Sequence, residues 1–170
     1  MLRCAQQFVK RAGARTTAVV GMLIASVGLY WMSRAGVDGS YVSNVLPAIV
    51  PMSIGMGLTF VPITLIATTG VADEDAGLAS GLFNTAQQVG GALGLAVLST
   101  LATARTEDAI AELGGAPSPA DRVSALVEGF DVAFTAAAIL VAASGVILLV
   151  AVRRRDVKGI DPEAAPVPGA

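Results

Sequence analysis

Residues 77–98 have the sequence GLASGLFNTAQQVGGALGLAVL, and this stretch decides the fold class. It carries no charged residue and is long enough to cross a bilayer, which takes about 20 predominantly apolar residues. Many of its residues are small, and it includes Asn84, Gln87 and Gln88. Amide side chains at membrane depth are costly unless they face protein or water. The stretch therefore predicts an inner helix in a bundle of membrane-spanning helices.

The composition supports a membrane protein and excludes several kinds of chemistry. Hydrophobic residues make up 54% of the chain and charged residues only 14%, whereas about 25% of a soluble domain is charged. Histidine is absent and Cys4 is the only cysteine, so histidine-assisted nucleophiles, internal disulfides and His–Cys metal sites are excluded. The sequence also lacks phosphate-binding glycine loops and basic–aromatic patches. We expect no enzyme activity, no metal, no cofactor and no binding of nucleic acid.

Four apolar segments predict an all-α integral membrane protein with four transmembrane helices. The predicted spans are residues 16–32, 45–67, 77–101 and 130–152. Each is close to the roughly 17–25 residues that a spanning helix needs. Residues 102–129 form the longest predicted loop, with the turn-rich sequence GGAPSPADR in its middle and flanks suited to short interfacial helices. We expect residues 1–15 to be a cytoplasmic stub and residues 153–170 a disordered cytoplasmic tail.

The distribution of basic residues predicts the orientation. Eight of the eleven Lys and Arg residues precede the first span or follow the fourth. Because positively charged flanks stay in the cytoplasm, both termini of this multi-pass chain are predicted to lie there, with 102–129 on the outer side. A cleaved signal peptide is the alternative for the N-terminus, although the apolar run is long for one and three more spans follow.

The third span contains the candidate functional residues. At 100° per residue, small and amide side chains gather on one narrow face of this helix. This face includes Gly77, Ser80, Gly81, Asn84, Gln87, Gln88 and Gly91. The amides predict contacts with a substrate cavity or gate. The alternative is a close-packed interface in which the amides bond to neighbouring helices. Gly90 and Gly94, one turn apart, are further candidates for close helix packing.

The second span contains a predicted bend at Pro62, with Gly57 nearby. Proline inside a helix removes one backbone hydrogen bond and tends to kink it. This bend is either a hinge that lines a cavity or a static adjustment to the bundle. The acidic run Asp73, Glu74, Asp75 precedes the third span and is expected to keep a tight turn in water. Since no ionisable residue lies deep in any span, no proton relay is visible within these four helices.

The sequence of residues 57–98, GLTFVPITLIATTGVADEDAGLASGLFNTAQQVGGALGLAVL, resembles a stretch near the C-terminus of drug:proton antiporters of the major facilitator superfamily. The resemblance is to the fourteen-span EmrB/QacA-type branch, especially its actinobacterial members. Residues 9–19, VKRAGARTTAV, resemble the loop before the eleventh span of that family. Lys10 stands where the family often has an acidic residue, so the resemblance does not extend the usual charge relay of this loop to this chain.

The resemblance implies that these are spans eleven to fourteen, forming part of the C-terminal bundle. It implies that the second and third spans face the cavity or its gates. The implied activity is efflux of drug-like small molecules across the plasma membrane by alternating access, driven by a proton gradient rather than a cofactor. The implied partners are the bilayer and either the missing N-terminal spans or another copy. The chain would then be a fragment or a split subunit. The alternatives are a non-transporting membrane scaffold or assembly subunit, and an inert truncated remnant.

Overall fold

The computed structural model describes residues 13–37, 41–68 and 71–152, and within these it is an assembly of four helices. The helices are α1 (Ala14–Met32), α2 (Leu46–Thr68), α3 (Ala76–Glu112) and α4 (Pro119–Ala151). A π-helical turn, Tyr41–Val45, leads into α2, and a 3₁₀ turn, Asp73–Asp75, leads into α3. All four are long and apolar enough to cross a membrane. The all-α membrane fold class is confirmed. The expectations for residues 1–12 and 153–170 lie outside the described residues.

The first two predicted spans closely match α1 and α2, because both patterns end where apolar sequence gives way to glycine and polar residues. Thr17, fully buried, donates its hydroxyl hydrogen bond to the carbonyl of Gly13, just before α1. Pro47 is the second residue of α2, which directly follows the π-helical turn Tyr41–Val45.

Residues 102–129, expected as a loop with short helices on its flanks, are mostly continuations of the two spanning helices. Their expected position on the outer side of the membrane stays a prediction. Helix α3 continues to Glu112 and α4 already begins at Pro119, so only residues 113–118 connect them. The expectation failed because it placed the helix ends where the apolar run ended. A helix can continue into water when part of its surface is covered, and here Ala109 and Ala125 are buried between the two helices.

The sequence of the short connection explains how α4 begins. Gly114 has a φ of 64°, a left-handed conformation that glycine adopts without steric cost. Ser118 caps α4: its hydroxyl accepts a hydrogen bond from the N–H of Asp121, whose carboxylate accepts one from the N–H of Ser118. Pro119 follows at the first helical position. The turn-rich sequence therefore contains both the turn and the first residues of α4.

The contacts between helices give the spatial order α2, α1, α4, α3. Helix α1 packs extensively against α2 and also against α4, and α4 packs against α3. By contrast, α2 and α3 are consecutive in the chain but make few contacts with each other. Most of α3 is consequently exposed in the described chain, and none of its apolar membrane-spanning window is buried.

Candidate functional site

The amide side chains that the sequence singled out lie on the exposed part of α3. Asn84, Gln87 and Gln88 are all exposed and share one side of the helix. None of the three makes a hydrogen bond to another residue in the described part of the chain. Ala and Leu, which favour helix formation, make up much of α3, and the helix holds the three amides on one side. Helix α3 therefore presents an amide face, formed by Asn84, Gln87 and Gln88, that no other described residue covers.

The small residues around this amide face are equally uncovered. A Cβ built on any of the five predicted packing glycines meets no other described atom within 4 Å. These glycines are Gly77, Gly81, Gly90, Gly91 and Gly94. Their predicted role in helix packing is therefore not fulfilled by α1, α2 or α4, and it stays a prediction about contacts beyond the described residues.

The glycines that do bring helices together are on α1, α2 and α4, and the sequence analysis missed their role. A Cβ on Gly28 would lie 2.7 Å from the backbone nitrogen of Met52 and 2.8 Å from the carbonyl oxygen of Ala48. A Cβ on Gly21 would lie 2.7 Å from the carbonyl oxygen of Gly55. Such approaches let α1 and α2 pack backbone against backbone. The available signal was the seven-residue spacing of Gly21 and Gly28, matched on α2 by Ala48 and Gly55.

The predicted bend in α2 is located within this tight pair of helices. Pro62 is fully buried inside α2, whereas a Cβ added to Gly57 would meet no described atom within 4 Å. Between them, the Thr59 hydroxyl donates to the carbonyl of Gly55 at 2.7 Å and lies 3.4 Å from that of Ala18 on α1. The described chain thus holds Pro62 in a packed interface, and its role as a hinge or bend remains a prediction.

Two arginine side chains connect neighbouring helices, one at each end of the helix assembly. Arg15, at the start of α1, donates a hydrogen bond to the carbonyl of Leu149 near the end of α4. This contact brings the start of the first helix and the end of the fourth to the same end of the bundle. At the other end, Arg105 of α3 pairs with Glu112 of the same helix and Glu128 of α4, at 3.1 and 2.6 Å.

The ionisable groups near the α3–α4 turn serve structure in the described chain. Hydrogen bonds from Ser118, from its side chain and then its backbone, lower the pKa of Asp121, because they favour the charged carboxylate. Among the described residues, no three His, Cys, Asp or Glu side chains lie close enough together to hold a metal ion. The amide face is a polar feature of the membrane-spanning part that carries no charge.

An assembly of long apolar helices with a polar, uncovered face defines a multi-pass membrane protein. The chain belongs to the Major Facilitator Superfamily, because the model of that family matches residues 2–95, more than half of its 170 residues. The resemblance inferred from residues 57–98 is thereby confirmed at the level of the superfamily.

Curated relatives from actinobacteria are longer proteins, and the chain resembles part of each of them. The chain is 40% identical over 112 residues to the cephamycin export protein CmcT of Amycolatopsis lactamdurans, covering 66% of this chain and 23% of that protein. It is 37% identical over 150 residues to the puromycin resistance protein pur8 of Streptomyces alboniger, covering 87% of this chain and 28% of that protein. It is 32% identical over 152 residues to EfpA of Mycobacterium tuberculosis, an uncharacterized MFS-type transporter, covering 86% of this chain and 27% of that protein.

The chain thus spans about a quarter of the length of the curated relatives it matches. No solved structure matches it significantly.

Proposed function

We propose that the chain acts as the C-terminal segment of a proton-coupled efflux transporter that exports antibiotic-like small molecules by alternating access. The observation that carries this proposal is the amide face of α3, which no other part of the described chain covers. Uncharged amides at membrane depth need protein or water opposite them. A substrate cavity formed with further spans supplies both. The export and resistance functions named for the relatives support the same conclusion.

The orientation that we propose has both termini in the cytoplasm of a plasma-membrane protein. The excess of basic residues before α1 and after α4 supports it. The contact between Arg15 and Leu149 also supports it, because it brings the start of α1 and the end of α4 to one end of the bundle. The energy source in the complete transporter would be the proton gradient. Since residues 16–32, 45–67, 77–101 and 132–152 carry no charged side chain, the proton-binding groups would lie on spans outside this chain.

The proposal is tested in a complete transporter that carries this segment. We expect Asn84→Leu or Gln87→Leu to change the rate or selectivity of efflux more than the amount of protein in the membrane. Leucine cannot replace the hydrogen bonds that an amide makes with substrate or cavity water. The measurement is efflux of a panel of fluorescent and antibiotic substrates, normalised to the amount of protein in the membrane.

Thr100→Val is the matched control on the same helix. The Thr100 hydroxyl donates to the carbonyl of Ala96 at 2.9 Å, so its hydrogen bond is made within α3. Its side chain lies about 160° around the helix from that of Asn84. We expect this variant to export normally. If the amide variants export every compound as well as the control does, the amide face does not contact substrate. Reduced protein levels in the amide variants with normal export per molecule would instead favour the helix-packing interpretation.

A further inference from the structure

Helices α3 and α4 are longer than a bilayer requires. They contain 37 and 33 residues, or about 55 and 50 Å at 1.5 Å per residue, against a hydrocarbon core of about 30 Å. A typical tilt of about 20° lengthens the path across the core by only about 6%. Both helices must therefore extend beyond the core at one end or both.

The charges on α4 show which end extends. The last charged residue before its apolar stretch is Asp131, and residues 132–152 carry no charge. That stretch alone is long enough to cross the hydrocarbon core, because about 20 residues suffice. Residues 119–131 therefore lie beyond it. Gly129 lies against Ala102 of α3, so residues 102–112 of α3 stand at the same height as this part of α4.

The parts of α3 and α4 that extend beyond the hydrocarbon core pack against each other as closely as α1 packs against α2. A Cβ on Gly129 would overlap the Thr106 hydroxyl and the carbonyl of Ala102, so only glycine fits there. Further toward the turn, Ala109 and Ala125 are buried. This close packing contrasts with the membrane part of α3, whose glycines have no atom within 4 Å of an added Cβ.

One guanidinium joins the two helices at this point. Arg105 Nη2 lies 2.6 Å from Glu128 Oε2 on α4, while Nη1 lies 3.1 Å from Glu112 Oε1, two turns along α3. Both carboxylates are partly exposed, so water still solvates them and the pairs contribute modestly. Their main effect is geometric, because a planar guanidinium that binds two carboxylates fixes directions as well as distances.

We propose that residues 102–129 form a rigid helical hairpin that stands in water beyond the bilayer, with Arg105 as the positioning residue that fixes α3 against α4. We call this segment the extramembrane hairpin. Helix α3 contains no proline between Ala76 and Glu112, so it transmits orientation along its length. The extramembrane hairpin consequently sets the rotation of α3 about its own axis, and with it the direction of the amide face. This inference concerns the described chain itself and holds whichever substrate, if any, is exported.

The first experiment measures hydrogen exchange of the chain in lipid nanodiscs. We expect slow exchange in residues 103–112 and 122–129 of the unmodified chain. Arg105→Gln should speed exchange there by about 1.5- to 5-fold, the range expected for losing an exposed ion pair. The matched control is Arg122→Gln, which removes the same charge from the extramembrane hairpin. Arg122 is exposed and makes no ion pair in the described part of the chain, so exchange should stay unchanged.

A charge reversal separates the geometry of the pair from general loss of charge. The swap is made in a Glu112→Gln background, because Glu112 would otherwise repel a carboxylate at position 105. In that background, the double variant Arg105→Glu with Glu128→Arg restores opposite charges across the two helices, and we expect it to recover most of the lost protection. Equal effects of Arg105→Gln and Arg122→Gln, or no recovery in the double variant, would refute the role of Arg105. Unprotected exchange throughout 103–112 in the unmodified chain would refute the rigid hairpin itself.

The second experiment tests the position of the hairpin relative to the bilayer. A spin label at Ser124→Cys, in a Cys4→Ser background, should be reached by a water-soluble relaxation agent and hardly by dissolved oxygen. A label at Ile139→Cys, which is exposed in the charge-free part of α4, is the membrane reference and should show the reverse. A label at position 124 that behaves like the one at position 139 would place the hairpin in lipid and overturn the proposal.

Discussion

Gly28→Ala is the sharpest test of how the α1–α2 pair is held together. The added methyl group would lie 2.7 Å from the backbone nitrogen of Met52 and 2.8 Å from the carbonyl oxygen of Ala48. Ordinary contacts of this kind are about 3.5–4.0 Å, so α1 and α2 would have to separate by about 1 Å. Both opposing atoms belong to the backbone, and no side chain can rotate away to make room. The substitution should therefore loosen the whole contact rather than one residue.

The expected cost follows from two opposing effects. Overpacking of a close-packed interface costs about 1–3 kcal/mol. Replacing glycine by alanine inside a helix returns about 0.5–1 kcal/mol through helix propensity. The net loss in the free energy of unfolding should be about 1 kcal/mol, which is about a fivefold shift in the folding equilibrium. Gly28→Leu places more atoms in the same space and should cost more.

Gly57→Ala is the control, because it makes the same change in α2, where a Cβ meets no atom within 4 Å. It should be neutral or slightly stabilising, through helix propensity alone. The assay is unfolding of the chain in mixed micelles with increasing denaturing detergent, followed by circular dichroism. A cross-link between cysteines placed on α1 and α2 gives an independent measure of separation. Close packing at Gly28 is refuted if Gly28→Ala and Gly57→Ala unfold at the same detergent fraction, or if Gly28→Leu is no worse than Gly28→Ala.

Two further predictions concern topology and activity. In a Cys4→Ser background, an impermeant thiol reagent added to intact cells should label Ser118→Cys and leave Lys158→Cys unlabelled until the membrane is opened; labelling of both from one side contradicts the four-span orientation. The purified chain in liposomes with a pH gradient should show no saturable drug uptake, because alternating access needs two bundles around a shared site. Gradient-dependent uptake by the chain alone would show that it is sufficient for transport, as an oligomer of itself.

The sequence by itself determined the fold class and the first two helices. Long uncharged runs with little polar patterning are stable in a bilayer. There the backbone has no water to bond with, so it forms a helix, in which its N–H and C=O groups bond to each other. The amides at positions 84, 87 and 88 were also visible in the sequence, because helical periodicity alone gathers them on one side. They lie within residues 57–98, the stretch that carried the superfamily resemblance.

Tertiary structure decided where α3 and α4 end. Hydropathy identifies the part of a helix that lies in lipid. In this chain the hydropathy is low between Arg105 and Asp131, where the charged residues lie. The two helices continue beyond the apolar stretches because residues such as Ala109 of α3 and Ala125 of α4 are buried where the helices pack. Predicting this packing requires the register of the two helices, that is, which residues of α3 and α4 lie side by side. Local sequence holds the signals for the turn and the cap, at Gly114 and Ser118, but not that register.

Tertiary structure also decided which glycines pack. A glycine has no side chain to show which way it faces, so Gly90 and Gly28 are equivalent candidates until the neighbouring helix is placed. In the structure, Gly28 lies against the backbone of α2, while a Cβ added to Gly90 meets no other described atom within 4 Å. The physical reason is the spatial order of the helices: α1 and α4 lie at the centre and each has two neighbours, whereas α3 lies at the edge and packs mainly against α4.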